Sequence, residues 1–327
     1  MDSSDKKYWV GFDLGGTKML AVVLDSEFKS IARSRKKTKG FAGKEAGLDR
    51  ICTTIDSALE EASISPDQLA GIGVGCPGPL DLEKGIIHEA PNLGWTDVPM
   101  KAHLESQYDC PAIIANDVDA GVYGEYQFGA GRGSRCIVGV FPGTGIGGGC
   151  VYEDKIIQGA NCSCMEIGHI PIVSDGTLDG CGNVGSLEGM ASRLAISGAA
   201  AQACYRGQAP TLRELCGTDI SEIRSGALAT AVESGDKFIK KIICQAADYL
   251  ALGVVTVVHL LAPDKIVLGG GLVEAMPELF VDRVTQKAKE RVLPSYRDTF
   301  KIVAAELGDD STAMGAAAWA SKSLKAN

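Results

Sequence analysis

Two glycine-rich segments of this chain have the composition of phosphate-binding turns, and each lies between two apolar runs. The first reads Asp-Leu-Gly-Gly-Thr-Lys at 13–18, and the second reads Gly-Thr-Gly-Ile-Gly-Gly-Gly at 143–149. Glycine lets several backbone N–H groups converge on one anion, which a side chain would obstruct. The threonine hydroxyls can donate to phosphate oxygens and the lysine can neutralise their charge, although turn threonines and exposed lysines also occur without a ligand. The predicted phosphate-binding residues are Gly15, Gly16, Thr17, Lys18, Gly143, Thr144 and Gly145.

Two aspartates stand at the ends of predicted strands, where a side chain can be held rigidly. Asp117 follows the apolar run 112–115, and phosphoryl transfer to an alcohol uses a carboxylate that accepts the hydroxyl proton. Asp117 is therefore our candidate general base; the alternative is that it caps the helix predicted over 119–127. Asp13 precedes the first glycine turn, where its negative charge would face the phosphates. A metal ion between them would offset the repulsion, so we predict that Asp13 is a Mg²⁺ ligand.

A third glycine run, Gly269, Gly270 and Gly271, follows a predicted strand and precedes a predicted helix. Such a run permits a flat nucleotide base to lie against the backbone, and a plain strand-to-helix turn explains it as well. Further on, Asp309, Asp310, Ser311 and Thr312 carry N-capping signals for an alanine-rich helix over 311–327, and these signals need no chemistry to explain them.

These residues require an alternation of strands and helices to position them. Short apolar runs flank both glycine turns, and helical periodicity is strongest over 43–62, 98–108 and 187–261. A pattern of Val-Gly, apolar residues, glycine turn and apolar strand begins at Val10 and again at Val138, which indicates two copies of one α/β unit. We expect an α/β protein of two domains with a ligand cleft between them. The predicted domains are 1–125, joined by the helix 311–327, and 126–310.

Composition limits the class of protein. A chain of 327 residues that is 45% hydrophobic can bury a large core and exceeds the usual size of a single domain. The net charge of −9 argues against nucleic acid or an anionic membrane as a partner, and the basic run 33–39 is explained as a solvated strand and loop. No signal-like segment is present at 1–7, and the odd number of cysteines, 11, indicates reduced thiols, so we expect a cytoplasmic protein.

The order and spacing of the motifs resemble the ROK family of sugar kinases and repressors over nearly the whole chain, and the bacterial glucokinases of that family above all. The resemblance implies the duplicated actin-like, ribonuclease-H-like ATPase fold, with ATP and Mg²⁺ as cofactors. It also implies that Asn116, Glu166, His169 and Glu188 hold the sugar hydroxyls, with Gly78, Asn92 and Asp117 in the same site. The matching segments are 13–18, 76–79, 91–93, 116–117, 143–149, 166–169 and 187–188.

One departure from the family pattern concerns a structural zinc. The family binds zinc with the histidine of Glu-x-Gly-His and three cysteines of a following run, and here the run 179–186 retains Cys181 alone. Asp179 could ligate beside His169 and Cys181, but the serine at 186 is a poor zinc ligand. A rearranged site would need Cys162 or Cys164. The sequence therefore argues against a structural zinc and predicts that hydrogen bonds hold this loop.

On this resemblance we expect an ATP-dependent hexose kinase in which Asp117 removes the proton of the glucose 6-hydroxyl. Fructose, mannose, N-acetylglucosamine and N-acetylmannosamine stay open as acceptors because they differ from glucose at one centre or one acyl group, and polyphosphate stays open as the donor. A non-catalytic sugar-binding regulator is the alternative within the family, but about eight residues precede the first strand, fewer than a DNA-binding helix-turn-helix requires. Another ATPase of the same fold would not need the sugar-binding set. A homo-oligomer, dimer or tetramer, is expected by analogy.

Overall fold

The computed structural model describes residues 7–159 and 164–326, and its contacts divide the chain into two compact units. The first unit comprises Met1–Arg132, Asp154–Cys164 and Asp309–Asn327, and the second comprises Gly133–Glu153 and Met165–Gly308. The predicted division after residue 125 would fall inside a helix, whereas the observed division follows that helix and assigns residues 154–164 to the first unit as well.

A five-stranded sheet forms the centre of the first unit. β1 pairs antiparallel with β2, which pairs antiparallel with β3, while β4 and β8 lie parallel to β1 on its other side, giving the order β3-β2-β1-β4-β8. β1, β2 and β4 are almost fully buried, as is typical of parallel sheets covered on both faces. The strands are β1 (Tyr8–Leu14), β2 (Lys18–Leu24), β3 (Ser30–Lys37), β4 (Leu69–Cys76) and β8 (Ala112–Asn116), with a small separate sheet of β5 (Leu80–Asp81), β6 (Ile86–Ala90) and β7 (Trp95–Val98).

Three helices of the first unit follow these strands. They are α1 (Lys44–Ala62), α2 (Met100–Tyr108) and α3 (Asp117–Phe128). The periodicity over 43–62 is confirmed as α1, whose buried residues, among them Ile51, Ile55 and Ala58, recur at helical spacing. α2 begins two residues later than predicted because Pro99 occupies the N-cap position.

The second unit repeats the arrangement around β9. This strand pairs antiparallel with β10 and parallel with β12, and β13 continues the sheet, so a hairpin again precedes two parallel strands. The duplication predicted from Val10 and Val138 is therefore confirmed in the strand order. The strands are β9 (Cys136–Pro142), β10 (Ile146–Tyr152), β12 (Lys265–Leu268) and β13 (Lys301–Ala304), and β11 (Lys155–Ile156) lies in the segment assigned to the first unit.

Helices make up most of the second unit, as the periodicity over 187–261 predicted. The longest, α8, is long and apolar enough to cross a membrane by length and composition, but half of its most apolar window is buried in the fold. Its buried residues follow one stripe, and Asp248 on the same helix pairs with Arg283 of α10. These features are typical of a core helix. The helices are α4 (Leu187–Ala191), α5 (Arg193–Tyr205), α6 (Pro210–Cys216), α7 (Ser225–Glu233), α8 (Lys237–Leu261), α9 (Gly271–Ala275) and α10 (Pro277–Lys289).

The chain then returns to the first unit as α11 (Ser311–Ala326), which packs on β1, β4 and α3. The alanine-rich sequence and the facing glycines permit an unusually close approach. A Cβ at Gly73 would lie 2.0 Å from the carbonyl oxygen of Ala316, and one at Gly11 would lie 1.9 Å from that of Ala313. Side chains on these strands would push the helix away, so small residues fix its position.

Candidate active site

The first glycine turn, Gly15 to Thr17, joins β1 to β2 and is held from β3. The hydroxyl of Thr38 donates to the Gly15 carbonyl oxygen at 2.6 Å, and the Thr38 N–H donates to the Thr17 carbonyl oxygen at 2.9 Å. Thr38 is fully buried, while Gly16, Thr17 and Lys18 are exposed and thus accessible to an anion. The basic run that was interpreted as a solvated strand and loop therefore contains the residue that fixes the turn.

Asp13 and Asp117 lie at the same edge of the first sheet. Asp13 pairs with Gly75 on β4, and the next residue of β4 pairs with Asn116, the last residue of β8. Asp117 follows Asn116 directly and therefore lies at the same edge of the sheet as Asp13. Burial, and after it the charges of Asp117 and Asp309, raise the pKa of Asp13 to about 7, against the lowering effects of Lys18 and Arg35. The two carboxylates are therefore close enough to repel each other. This is an arrangement that a hard divalent cation would relieve.

Asn116, and not Asp117, is the N-cap residue of α3. Its side-chain oxygen accepts from the N–H groups of Val118 and Asp119, at 2.9 and 3.2 Å. Asp117 is the first helical residue, and its carboxylate also accepts from Val118 at 2.9 Å. The Thr312 hydroxyl donates to the Asp117 carbonyl oxygen at 3.2 Å. The capping alternative for Asp117 is thus corrected: its neighbour caps the helix, and the carboxylate of Asp117 is fixed at the strand-to-helix junction.

Lys18 carries a partner that sequence reasoning missed. Its ammonium lies 2.7 Å from one oxygen of Asp309, whose other oxygen lies 2.8 Å from the guanidinium of Arg35. Both cations are about half exposed, and both act on the pKa of Asp13. Asp309, expected as part of a capping signal, instead positions two positive charges beside the turn. A neighbouring ion pair joins Arg33 to Asp310.

Gly78 and Asn92 lie in the same unit as this turn. Gly78 adopts φ +88°, and a Cβ there would lie 1.9 Å from the Glu89 carbonyl oxygen, so the position requires glycine. Asn92 is exposed on the connection between β6 and β7, and its Cβ would be 3.3 Å from a Cβ at Gly16. The structure therefore brings Asn92 to the first glycine turn.

The second glycine turn joins β9 to β10 and is held by two helices of the second unit. Glu188 of α4 accepts from the Ile146 N–H at 2.9 Å, and a Cβ at Gly145 would lie 2.2 Å from the same carboxylate oxygen. From α5, the Arg193 N–H donates to the Gly143 carbonyl oxygen at 2.9 Å, and its guanidinium donates to the Thr144 hydroxyl at 2.8 Å. Arg193 was not predicted from the sequence.

Glu166 and His169 lie on the single helical turn that their spacing predicted. Residues Ile167–His169 form a 3₁₀ turn with Glu166 at its N-cap position, and the His169 N–H donates to the Glu166 carbonyl oxygen at 3.0 Å. The His169 Nδ1 atom lies 2.9 Å from the enclosed carboxylate of Asp179, which raises the pKa of His169, while His169 holds the pKa of Asp179 below its usual range. Glu188 also accepts from the Gly180 N–H at 3.0 Å, so one carboxylate connects the glycine turn to the loop that orients His169.

Among the residues that the structure describes, the ligand set does not fit a closed structural zinc site. Single atoms of His169, Asp179 and Cys181 lie within 4.8 Å of one another, but Ser186 is buried and its hydroxyl accepts from Gly189 as a helix cap. Three donors with one thiol fall short of the four thiolate or imidazole ligands that such sites use. Cys164 donates to the Ile157 carbonyl oxygen and is not part of the cluster. Cys162 lies outside the described residues.

The run Gly269–Gly271 is explained in large part by packing. A Cβ at Gly269 would lie 2.3 Å from the ring of Phe141, and one at Gly270, where φ is +78°, would lie 2.8 Å from the Pro142 carbonyl oxygen. These contacts support the strand-to-helix turn between β12 and α9. A role toward a nucleotide base stays a prediction.

Comparison with known proteins shows close similarity over the whole chain. The ROK family model matches residues 9–323. The glucokinase of Thermotoga maritima is 31% identical over 309 residues, which cover 94% of this chain and 95% of that protein. Among solved structures, the ROK glucokinase of Streptomyces griseus in complex with glucose and AMPPNP superposes with a TM-score of 0.83 at 29% identity, covering 96% of this chain and 99% of that one.

A ROK hexokinase from Thermus thermophilus is also similar, with a TM-score of 0.81, 29% identity, and coverage of 98% of this chain and 100% of that one. Together with the repeated strand order, these similarities confirm the predicted fold class, the two-domain actin-like ATPase fold.

Replacing Asp13 by Asn should change stability in a pH-dependent way in metal-free protein. The native pKa of Asp13 lies above its unfolded value of 3.8, at about 7, so its contribution to stability is fully present below the unfolded pKa and is lost as pH rises through 7. We expect Asp13→Asn to be more stable than the parent chain by on the order of 2 kcal/mol at pH 8, with the difference vanishing toward pH 4. Thermal unfolding in a chelator checks this, with Asp175→Asn at an exposed loop position as the control. An equal effect at both pH values would contradict it.

Metal analysis should find no stoichiometric zinc in the purified chain, and a chelator should leave the unfolding temperature unchanged. Because the His169–Asp179 pair holds the loop instead, Asp179→Asn should accelerate amide hydrogen exchange over residues 179–185 about tenfold. One bound zinc per chain, whose removal lowers the unfolding temperature, would overturn this account of the loop.

Proposed function

We propose that this chain, which belongs to the ROK family, is an ATP-dependent hexose kinase that phosphorylates the 6-hydroxyl of glucose. The observation that carries the proposal is the pair Asp13 and Asp117 at one edge of the first sheet, beside an exposed glycine turn. The similarity of the chain to glucokinases over nearly its full length supports the same chemistry, as does its similarity to a structure that holds glucose and AMPPNP. Glucose is the acceptor that these relatives favour.

Asp117 is proposed to accept the proton of the sugar hydroxyl as it attacks the γ-phosphorus. In such a transfer the protein contributes mainly by positioning the reactants and stabilising charge. A positioned carboxylate base raises the reaction rate by ~10²- to 10⁴-fold. The bond to the Val118 N–H fixes one oxygen of Asp117, and Asn116 caps the same helix end. The carboxylate thus keeps one orientation without needing to reorganise during the reaction.

Asp13 is proposed to face the donor phosphates, with Mg²⁺ held between them. When bound, Mg²⁺ would neutralise charge on the phosphate oxygens. The chain's own residues contribute the exposed N–H groups of the first glycine turn and the Lys18 ammonium, which Asp309 positions. Because burial and the nearby charge of Asp117 raise the pKa of Asp13, a cation bound beside it would favour its ionised form.

The acceptor-binding residues are proposed to be Asn116, Glu166, His169 and Glu188, with Gly78 and Asn92. His169 is oriented by Asp179 through Nδ1, and we propose that Nε2, which lies 3.9 Å from the Cys181 sulfur, is the ring atom that bonds a sugar hydroxyl. Each carboxylate oxygen of Glu188 already accepts one backbone N–H and retains a further lone pair. A hydroxyl of the sugar can donate to these positions, and an analogue that lacks it would leave them unpaired.

A coupled assay across hexoses and two donors tests the proposed reaction. Glucose, mannose, fructose, N-acetylglucosamine and N-acetylmannosamine are each offered with ATP and, separately, with polyphosphate. We expect the highest kcat/KM for glucose with ATP. Transfer to another sugar with a higher kcat/KM would replace glucose as the acceptor, and transfer from polyphosphate alone would replace ATP as the donor.

Asp117→Asn should lower kcat by about two orders of magnitude or more and leave glucose affinity nearly unchanged, because the amide cannot accept the proton. Steady-state kinetics and a glucose titration measure the two effects. The matched control is Asp109→Asn, the same change at an exposed residue after α2 whose left-handed backbone (φ +47°) suits Asn. Near-normal turnover in Asp117→Asn would remove this residue from the mechanism.

A further inference from the structure

We propose that Arg193 binds the donor phosphate at the second glycine turn and orients the Thr144 hydroxyl toward it. This inference rests on the proposed kinase function and adds to it a residue that the family resemblance did not assign. It is carried by contacts within the second unit, where backbone and side chain of Arg193 both reach the same turn.

The two contacts of Arg193 differ in what they achieve. Its backbone N–H donates to the Gly143 carbonyl oxygen at 2.9 Å, which already connects the start of α5 to the turn. Its guanidinium then donates to the Thr144 hydroxyl at 2.8 Å, at a solvent-exposed position. The second contact is therefore not needed to dock the helix. It places a positive charge at the tip of a turn whose Gly143 and Ile146 N–H groups already donate to the Gly145 carbonyl oxygen and to Glu188, so an anion there would depend on the guanidinium and the Thr144 hydroxyl.

The hydrogen bond also determines what the Thr144 hydroxyl can do. A hydroxyl has one proton to donate and two lone pairs that accept. Since Arg193 donates to the oxygen, the proton of Thr144 is directed elsewhere, and the bond to a cation polarises it. Thr144 is exposed, so a phosphate oxygen at the turn would receive this proton and would lie beside the remaining N–H donors of the guanidinium.

The position of Arg193 in its helix is unfavourable without a ligand. It is the first residue of α5, which Ser192 caps, and the positive end of a helix dipole disfavours a cation there. An anion bound at the same place would reverse this effect, because it interacts favourably with both the helix end and the guanidinium. Residues that are unfavourable for the local structure occur mainly at functional sites. Arg193 is such a residue, and it lies at the edge of a predicted binding turn.

The test compares Arg193→Gln with Arg206→Gln, the same change at the exposed C-terminal end of the same helix. Steady-state kinetics give KM for ATP and glucose and kcat, and titration with AMPPNP gives nucleotide affinity without turnover. We expect Arg193→Gln to raise KM for ATP and the AMPPNP dissociation constant about tenfold. KM for glucose should stay within about twofold, and Arg206→Gln should match the parent chain. Arg193→Lys should recover part of the loss.

Two further measurements separate phosphate binding from a structural role. Thr144→Val should resemble Arg193→Gln, Thr144→Ser should resemble the parent chain, and the double variant Thr144→Val with Arg193→Gln should be no worse than about the larger single effect. The dependence of KM for ATP on ionic strength should be weaker in Arg193→Gln than in the parent. A lowered unfolding temperature with unchanged ATP parameters would assign Arg193 a structural role and overturn the inference.

The outcomes also distinguish this inference from the proposed function. If the parent chain phosphorylates a hexose and Arg193→Gln does so with the same KM for ATP, the inference fails and the function stands. If the parent chain binds AMPPNP without transferring phosphate, the proposed reaction fails and the AMPPNP affinities of the variants decide the inference. If the parent chain binds no nucleotide, both are overturned.

Discussion

The repulsion between the carboxylates of Asp13 and Asp117, which lie at one edge of the first sheet, is the constraint from which the geometry of this site follows. Burial and the charge of Asp117 both disfavour the ionised form of Asp13, so an ionised Asp13 costs stability in the absence of a ligand. Parallel strands bring their carboxyl ends to one edge, and the Val118 N–H fixes one oxygen of Asp117 there. Unfavourable electrostatics of this kind are common at functional sites, and the proposed cation and phosphates would relieve the repulsion.

The positive charges around this pair are arranged so that they do not simply neutralise it. Lys18 and Arg35 each bind one oxygen of Asp309, and Asp13 feels both cations without pairing directly with either. Exposed ion pairs contribute little to stability. The main effect of these two pairs is therefore to hold the Lys18 and Arg35 charges near Asp13. In the second unit, Glu188 and Arg193 hold the corresponding turn from two helices, so each glycine turn is fixed by residues distant in the sequence.

That distance explains what the sequence could and could not predict. Both glycine turns, the strands around them and the junction at Asn116 and Asp117 depend on adjacent residues, and periodicity and turn chemistry reveal such features. Thr38, Asp309 and Arg193 contact their turns from positions 23, 291 and 49 residues away, and nothing local marks them. The choice of Asn116 as the cap was also hidden, because Asn and Asp are equally good caps and stand side by side.

The loop that carries His169 is held by hydrogen bonds of side chains and backbone groups. A zinc ion would fix the histidine, the loop and the following helix through one centre. Here the enclosed carboxylate of Asp179 holds the His169 ring and accepts from Asn183, Ser186 caps α4, and Glu188 accepts from Gly180. Each contact is weaker than a metal bond, but together they connect the same three elements. Since Glu188 also holds the second glycine turn, a displacement of this loop would be transmitted directly to that turn, so the stability of the turn depends on the whole network rather than on any single bond.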